Sequence, residues 1–251
     1  MVTLQELCAY LDQLLDAQSF SDYSTNGIHV EGAQNIGKIA AAVSASLETI
    51  QAAVDEGVDA LIVHHGMFWK GDSYAISGTK REKLRLLLTH EISLIAYHLP
   101  LDAHRECGNN WKAAKEMNWQ DLKPFGEVNG KFLGVKGHFP KIPVRDFQRL
   151  LEKYYQHPSH SALGGRQTVE TAILVSGGAY KMLTEAAKEG ADCFITGNFD
   201  EPAWHQAYEE HINFFAMGHA ATEKVGPKAL GEHLKVHYDL GYQFIDTPNP
   251  F

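Results

Sequence analysis

The chain has 251 residues, of which 44% are hydrophobic and 21% are charged, and its formal net charge at pH 7 is -9. This composition is typical of a globular protein with one large domain or two closely packed lobes. The negative charge argues against a nucleic-acid-binding surface. It is compatible with an anionic small-molecule substrate, because bound metal ions can supply local positive charge.

The sequence indicates a cytoplasmic protein. Its first residues lack the basic stretch of a signal peptide, and no apolar run approaches the roughly 18 residues that a membrane span needs. The three cysteines, Cys8, Cys107 and Cys193, show no C-x-x-C spacing. They therefore predict neither a disulfide framework nor a thiolate zinc site, as expected for a reducing compartment.

In the first half of the chain, apolar patterns predict alternating helices and strands. Leucines from Leu4 to Leu15 recur at helical spacing, with Thr3 as the cap and Glu6 three residues later. A polar loop beginning at Asp22 leads into a short strand. The remaining predicted elements are a strand over 39–44, a helix over 47–56 ending at Gly57, a strand over 60–63, a helix over 80–89, a strand over 92–97 and a helix over 109–117.

The alternation resumes in the second half. The predicted elements are a strand over 132–138, a helix over 144–154, a loop over 157–165, strands over 171–176, 192–196, 212–217 and 242–245, and helices over 180–188, 202–210 and up to 236. Pro227 would break an interior helical hydrogen bond, so the last helix should begin or kink near Gly226. Repeated strand–helix–strand units predict an α/β fold with mixed sheets flanked by helices.

Two stretches of the chain resemble each other. The stretch from Ala42 to Val63 and the stretch from Leu174 to Thr196 share a Val-Ser turn, a helix and a Glu-Gly-x-Asp sequence before an apolar strand. The next strand in each half ends in a histidine with a carboxylate four residues later. Any two βαβ units share such turns, but an internal duplication accounts for both similarities. It predicts two similar lobes, residues 1–126 and 127–251, with a metal cleft between them.

Histidines and carboxylates follow the predicted strand ends. In α/β sheets, ligands bind beyond the carboxyl ends of the strands. Imidazoles and carboxylates are ligands for divalent zinc, manganese, iron or nickel. Five ligands suit two ions, which lie about 3.5–4 Å apart in hydrolytic sites, and leave a surplus of positive charge for an anionic substrate. The predicted metal ligands are His64, His65, Asp102, His219 and Glu223.

The other histidines are interpreted differently. His98 occupies the position that corresponds to His219 and is a candidate metal ligand, a residue that orients a ligand, or a proton shuttle. We interpret eight others mostly as surface or loop residues: His104, His138, His157, His160, His205, His211, His233 and His237. His104 and His205 are the strongest exceptions, because each lies near a loop at a strand end.

Taken together, these motifs resemble the NIF-three-like family, the GTP cyclohydrolase I type 2 homologues, over nearly the whole chain. The motifs that carry the resemblance are Asn26-Gly-Ile-His-Val-Glu-Gly, Asp59-Ala-Leu-Ile-Val-His-His-Gly-Met-Phe-Trp, His98-Leu-Pro-Leu-Asp102, Asp192-Cys-Phe-Ile-Thr-Gly and Gly218-His-Ala-Ala-Thr-Glu223. The resemblance implies two intertwined α/β lobes, a dinuclear metal centre on the same five ligands, and a homohexamer assembled as a trimer of dimers.

The function expected from the site and the resemblance is that of a dinuclear metal-dependent hydrolase. A metal-bound hydroxide would attack a nucleotide or related heterocycle, with GTP ring opening as the family reaction. The alternatives are a phosphoesterase, a metabolite-repair hydrolase, and a non-enzymatic metal-binding scaffold. Two departures from the family pattern could alter the surroundings of the metals: Ala220 stands where members often have a second histidine, and Asn198 where an acid is common.

Overall fold

The computed structural model describes residues 1–251, which form two compact units. The first unit comprises Met1–Gly108 and Gly226–Pro248, and the second comprises Asn109–Val225 and Asn249–Phe251. The division differs from the predicted boundary at residue 126. The reason is that the last strand pairs with a strand near the start of the chain, so that Gly226–Pro248 returns to the first unit.

The helices and strands alternate along the chain. Those before residue 120 are β1 Val2–Thr3, α1 Leu4–Leu14, β2 Gly27–Val30, β3 Asn35–Ile36, β4 Lys38–Ser44, α2 Leu47–Asp55, β5 Ala60–His65, α3 Gly78–Thr89, β6 Ser93–Ala96, α4 Leu99–Ala103 and α5 Asn109–Glu116. Those that follow are β7 Gln120–Val128, β8 Lys131–Pro143, α6 Val144–Tyr155, β9 His160–Leu163, β10 Thr168–Leu174, α7 Leu183–Lys188, β11 Cys193–Thr196, α8 Pro202–Glu209, β12 Asn213–Ala216, α9 His219–Thr222, α10 Val225–Tyr238 and β13 Gly241–Phe244.

The predicted α/β fold is confirmed, with one mixed sheet in each unit. The strand order is β13-β4-β5-β6-β2 in the first unit and β7-β8-β10-β11-β12-β9 in the second. In each unit three consecutive strands run parallel, and the third pairs with an antiparallel neighbour. None of the helices is both long and apolar enough to cross a membrane.

The first unit packs helices on both faces of its sheet. Because side chains alternate along a strand, Ile62 of β5 packs on one face with leucines of α1 and α10, and Leu61 and Val63 pack on the other with α2 and α3. In the second unit, α6 contributes Phe147 to the core beneath β8, β10, β11 and β12. Burying each such apolar side chain contributes about 1.5–3 kcal/mol to folding.

Local sequence signals account for several helix ends. The predicted capping box is confirmed, since Thr3 Oγ1 accepts from the Glu6 amide at 3.2 Å and Glu6 Oε2 accepts from the Thr3 amide at 3.1 Å. The last long helix begins at Val225, which places Pro227 in its first turn as predicted.

The predicted loop over 157–165 was wrong in part, because His160–Leu163 pairs antiparallel with β12. The long strand β7 was missed.

The two units repeat the same turn before their central strand. Asp59 Oδ2 accepts from the amides of Gly37 and Lys38 at 2.7 and 2.8 Å. Asp192 Oδ2 accepts from the amides of Glu170 and Thr171 at 3.0 and 3.1 Å. Each aspartate thus ties the start of its strand to the start of the neighbouring parallel strand, which is what the repeated Glu-Gly-x-Asp sequence encodes.

Candidate metal centre

Strand β5 ends on the two adjacent histidines. Backbone hydrogen bonds from the chain that follows each parallel neighbour, β6 and β4, fix this strand end. The Tyr97 amide donates to the Val63 carbonyl at 3.0 Å, and the Ala45 amide donates to the His65 carbonyl at 2.8 Å. His64 is fully buried, whereas His65 is half-buried. The backbone at this site is therefore fixed by the sheet, and the side chains start from a rigid position.

His64 has the orientation that a metal ligand would need. Its Nδ1 lies 3.1 Å from the Tyr97 carbonyl oxygen, which can only accept, so Nδ1 carries the proton and Nε2 presents a lone pair. That Nε2 lies 3.6 Å from Oδ2 of the buried Asp102. A divalent ion binds such nitrogen and oxygen ligands at about 2.0–2.2 Å. The 3.6 Å separation therefore fits two ligands of one ion.

His65 and His98 lie beside His64. The ring centroid of His64 lies 4.7 Å from that of His65 and 5.0 Å from that of His98. The three side chains, which we call the imidazole cluster, have ligand nitrogens within 4.8 Å of one another. Ser44 Oγ lies 3.0 Å from Nδ1 of His65, which leaves the Nε2 atom of that ring for a ligand.

His98 is held by a carboxylate that the sequence did not identify as functional. Its Nδ1 donates to Asp22 Oδ1 at 2.8 Å, and its amide donates to Asn26 Oδ1 at 2.8 Å. Asp22 Oδ2 also accepts from the Leu99 amide at 2.9 Å. Burial alone would raise the pKa of Asp22, but the hydrogen bond and ionic attraction of His98, with further donors, lower it to about 2. Asp22 therefore stays ionised and fixes the His98 ring.

Asp102 reaches the cluster through the short helix α4. This helix follows β6 directly, and Pro100 lies in its first turn, where the missing amide costs nothing. Asp102 comes four residues after His98, and its amide donates to the His98 carbonyl at 3.2 Å. The spacing of one helical turn thus places the carboxylate on the same side of the chain as the histidine.

The second unit carries its own histidine–carboxylate pair at the end of β12. His219 Nε2 lies 3.1 Å from Oε1 of Glu223, which is buried. Gly177 makes room for this carboxylate, because a Cβ atom on that residue would lie 2.2 Å from Glu223 Oε1. Gly177 also has φ +65°, a conformation that favours glycine.

Three other histidines, His104, His205 and His29, lie outside the imidazole cluster. His104 Nδ1 accepts from the Cys107 amide at 3.0 Å, which closes a turn, and the side chain of His205 is exposed on α8, 3.9 Å from Glu201. Neither belongs to the imidazole cluster. His29 is half-buried in the first unit, where its Nδ1 accepts from the Met67 amide at 3.0 Å. Burial lowers the pKa of His29, which favours the neutral form that accepts this bond.

Nearly the whole chain matches a known protein family. Residues 2–250 match the family described as Duf34/NIF3 (NGG1p interacting factor 3). The chain belongs to the Duf34/NIF3 family. It is 53% identical to the GTP cyclohydrolase 1 type 2 homolog of Chlamydia pneumoniae over 252 residues, which cover 100% of both chains. It is 38% identical to the homolog of Escherichia coli strain K12, with 98% of each chain covered.

Solved structures of Duf34/NIF3 proteins share the fold. The protein ybgI, described as of unknown function, superposes with a TM-score of 0.93 at 37% identity and 100% coverage of both chains. TTHA1606 from Thermus thermophilus superposes with a TM-score of 0.92 at 37% identity and the same coverage. The resemblance stated from the sequence motifs is confirmed. The Duf34/NIF3 chain carries histidine and carboxylate clusters whose chemistry suits a divalent metal ion.

Proposed function

We propose that the chain is a metal-dependent hydrolase that acts on a nucleotide or a related heterocycle. The name GTP cyclohydrolase 1 type 2 homolog, carried by its relatives, motivates GTP as the first substrate to test. The observation that carries the proposal is the imidazole cluster with Asp102, in which His64 Nε2 and a carboxylate oxygen lie 3.6 Å apart in a buried site.

In this proposal five side chains hold two divalent ions of zinc, manganese, iron or nickel. The ligands are His64, His65, Asp102, His219 and Glu223. When bound, such ions lower the pKa of a coordinated water and stabilise negative charge on the substrate. Three neutral imidazoles and two carboxylates leave a formal surplus of positive charge on two divalent ions, which supports an anionic substrate.

The chain itself supplies proton transfer in this proposal. Asp22 holds the Nδ1–H of His98 at 2.8 Å, so Nε2 is the nitrogen that accepts or releases a proton. The same hydrogen bond orients the ring towards His64 and His65, whose centroids lie 5.0 and 5.7 Å away. His98 thus takes the role of proton shuttle, and Asp22 that of a positioning residue.

The test combines metal analysis with turnover. The purified protein is analysed for metals by mass spectrometry, incubated with GTP, and assayed for release of formate. We expect bound divalent metal and formate release that is lost in His98→Gln, which keeps a side chain of similar length. Absence of turnover in a protein shown to contain metal would rule out the GTP reaction.

A second candidate is hydrolysis of a phosphoester or repair of a small anionic metabolite. The mostly neutral donor set favours it, because three imidazoles leave bound ions strongly positive. A panel of phosphoesters and metabolites separates it from GTP ring opening. If substitution of the metal ligands left assembly and cellular function unchanged, the non-enzymatic scaffold would be the better account. Assembly into a homohexamer and a cytoplasmic location stay predictions, which light scattering and cell fractionation test.

A further inference from the structure

A pocket of about 430 Å³ lies in the first unit beside the imidazole cluster. Trp69 connects the two, since it lines the pocket and its ring centroid lies 5.8 Å from that of His65 and 5.0 Å from that of His98. The residues of the lining that carry the inference are Trp69, Asp72, Ser77, Thr79, Lys80 and Lys83. We call this cavity the Lys83 pocket.

Two lysines and one carboxylate give the Lys83 pocket a net positive charge. The Lys80 ammonium group already has partners within the chain. Its Nζ donates to the Ser73 carbonyl at 2.7 Å and lies 5.3 Å from the centroid of the Phe68 ring. Asp72 is exposed to solvent. The charge that remains available to a ligand is therefore that of Lys83.

Lys83 is a half-buried ammonium group with no carboxylate beside it. It takes part in no ion pair or hydrogen bond, whereas Arg81 and Arg85 on the same helix both pair with Glu82. Burial lowers the pKa of Lys83, because removing the ammonium charge from water without a partner costs free energy. An anion in the pocket would offset that cost.

The rest of the lining suits a phosphate group attached to a ring. Ser77 and Thr79 bring two hydroxyl groups, which donate to phosphate oxygens, to the same cavity. The Trp69 indole offers an aromatic wall, and aromatic faces stack on planar heterocycles. Trp69 Nε1 donates to the Gly66 carbonyl at 3.3 Å, which holds this wall against the turn that follows β5.

We propose that the Lys83 pocket binds the phosphate of a phosphorylated heterocyclic substrate, whose reacting part lies at the imidazole cluster. This inference rests on the proposed function, because it takes that cluster as the reaction site. Trp69 is the residue that touches both regions, so a ligand that stacks on it has its phosphate at Lys83 and its opposite end at the histidines. The pocket would then select nucleotides over nucleosides.

Calorimetry on the purified, metal-containing protein tests this selection. The probes are GMP, guanosine and inorganic phosphate, and the variants are Lys83→Gln, Lys83→Arg and the matched control Arg81→Gln. We expect GMP to bind at least about tenfold more tightly than guanosine, since a hydrogen bond to a charged group contributes about that factor. Lys83→Gln should abolish the difference, and Lys83→Arg should restore most of it. Arg81→Gln removes the same charge from the same helix outside the pocket and should change affinity by less than about threefold.

Three results would overturn the inference. They are equal affinities for GMP and guanosine in the unaltered protein, unchanged GMP affinity in Lys83→Gln, and no binding of any of the three probes. Metal content measured on each variant keeps the two proposals separate. Loss of phosphate selectivity with metal retained concerns the Lys83 pocket alone, whereas a protein that selects GMP through Lys83 but releases no formate contradicts the GTP reaction alone.

Discussion

The central strands of the two units begin alike and end differently. Asp59 and Asp192 accept the same pair of backbone hydrogen bonds at the start of β5 and β11. Five residues later, β5 reaches His64, whereas β11 reaches Gly197. The sequence that builds the framework is thus repeated, and the histidine pair of the candidate metal centre is not.

Packing explains why the second unit lacks the histidine pair. A Cβ atom on Gly197 would lie 2.7 Å from the Cα of His219 and 2.8 Å from the Gly177 carbonyl oxygen. In the first unit the corresponding position holds the fully buried imidazole of His64. The second unit places helix α9 against this strand end, and so retains one histidine–carboxylate pair in place of a cluster.

The largest expected effect comes from the strand-end histidine itself. His64→Asn keeps a donor for the Tyr97 carbonyl but removes the Nε2 ligand, and we expect bound metal to fall below half of the wild-type content. Asn198→Ala changes the end of the equivalent strand and should leave metal content unchanged. Mass spectrometry of both purified variants makes the comparison, with circular dichroism to confirm folding. Equal metal loss in the two would contradict the asymmetry between the units.

The close packing at Gly197 should produce the next largest effect. Gly197→Ala forces a methyl group against the backbone of α9, and overpacking of this kind costs about 1–3 kcal/mol. Gly178→Ala is the matched control, since the nearest atom to its added Cβ lies 3.9 Å away. Thermal unfolding measures both. A Gly197→Ala variant as stable as the control would remove the steric explanation.

Asp22→Asn tests how the first unit holds its additional histidine. The amide cannot supply the ionised acceptor for His98 Nδ1–H, and we expect loss of this supporting carboxylate to lower activity about 10–100-fold. Asp55→Asn, on the exposed side of α2, serves as the control. Kinetics with the substrate identified by the assays above would show the loss, and metal titration should show unchanged binding. If Asp22→Asn had the activity of the wild-type protein, Asp22 would be a structural residue of its turn and would not position His98 for catalysis.

The repeated aspartates should respond similarly to substitution, with a somewhat larger loss at Asp192, whose Oδ2 also accepts from Thr171 Oγ1 at 3.0 Å. Asp59→Ala and Asp192→Ala each leave two backbone amides without an acceptor, and we expect each to lower the free energy of unfolding by about 1–3 kcal/mol. Urea unfolding followed by circular dichroism measures the two losses. Losses that differ by more than about 2 kcal/mol would show that the shared turn does not contribute equally to the stability of both units.

The smallest effect concerns the glycines that end α2 and α7. Gly57 and Gly190 have φ +59° and +71°, and an added Cβ at either would meet nothing within 4 Å. Alanine at each position should therefore cost only the backbone term, about 1 kcal/mol. Parallel thermal melts of the two variants provide the measurement. A much larger loss in one of them would point to a contact that the repeated turn does not share.

Local signals made much of the fold and of the candidate site predictable. The capping box at Thr3 and Glu6 and the apolar run before His64 and His65 are short-range patterns, so the sequence alone located them. The four-residue spacing from His98 to Asp102 is equally local, although the short helix α4 that spans it was not predicted. These features depend on neighbouring residues only.

Long-range pairings could not be predicted in the same way. Asp22 bonds to His98 across 76 residues, and nothing in the polar loop distinguishes it from an ordinary turn aspartate. The strand His160–Leu163 has four residues and gains its identity from β12. The assignment of β13 to the first unit depends on its pairing with β4, which lies near the other end of the chain and which no local pattern encodes.

The return of Gly226–Pro248 to the first unit has a consequence for synthesis of the chain. The second unit is almost continuous in sequence, while the sheet of the first unit receives its edge strand β13 only after the second unit has been made. The apolar side chains of α1 stay uncovered until Leu230 and Leu234 have been synthesised and pack against them. During translation the second unit can therefore fold before the first. Until then the apolar face of α1 is exposed, and it is the segment that a chaperone would need to cover.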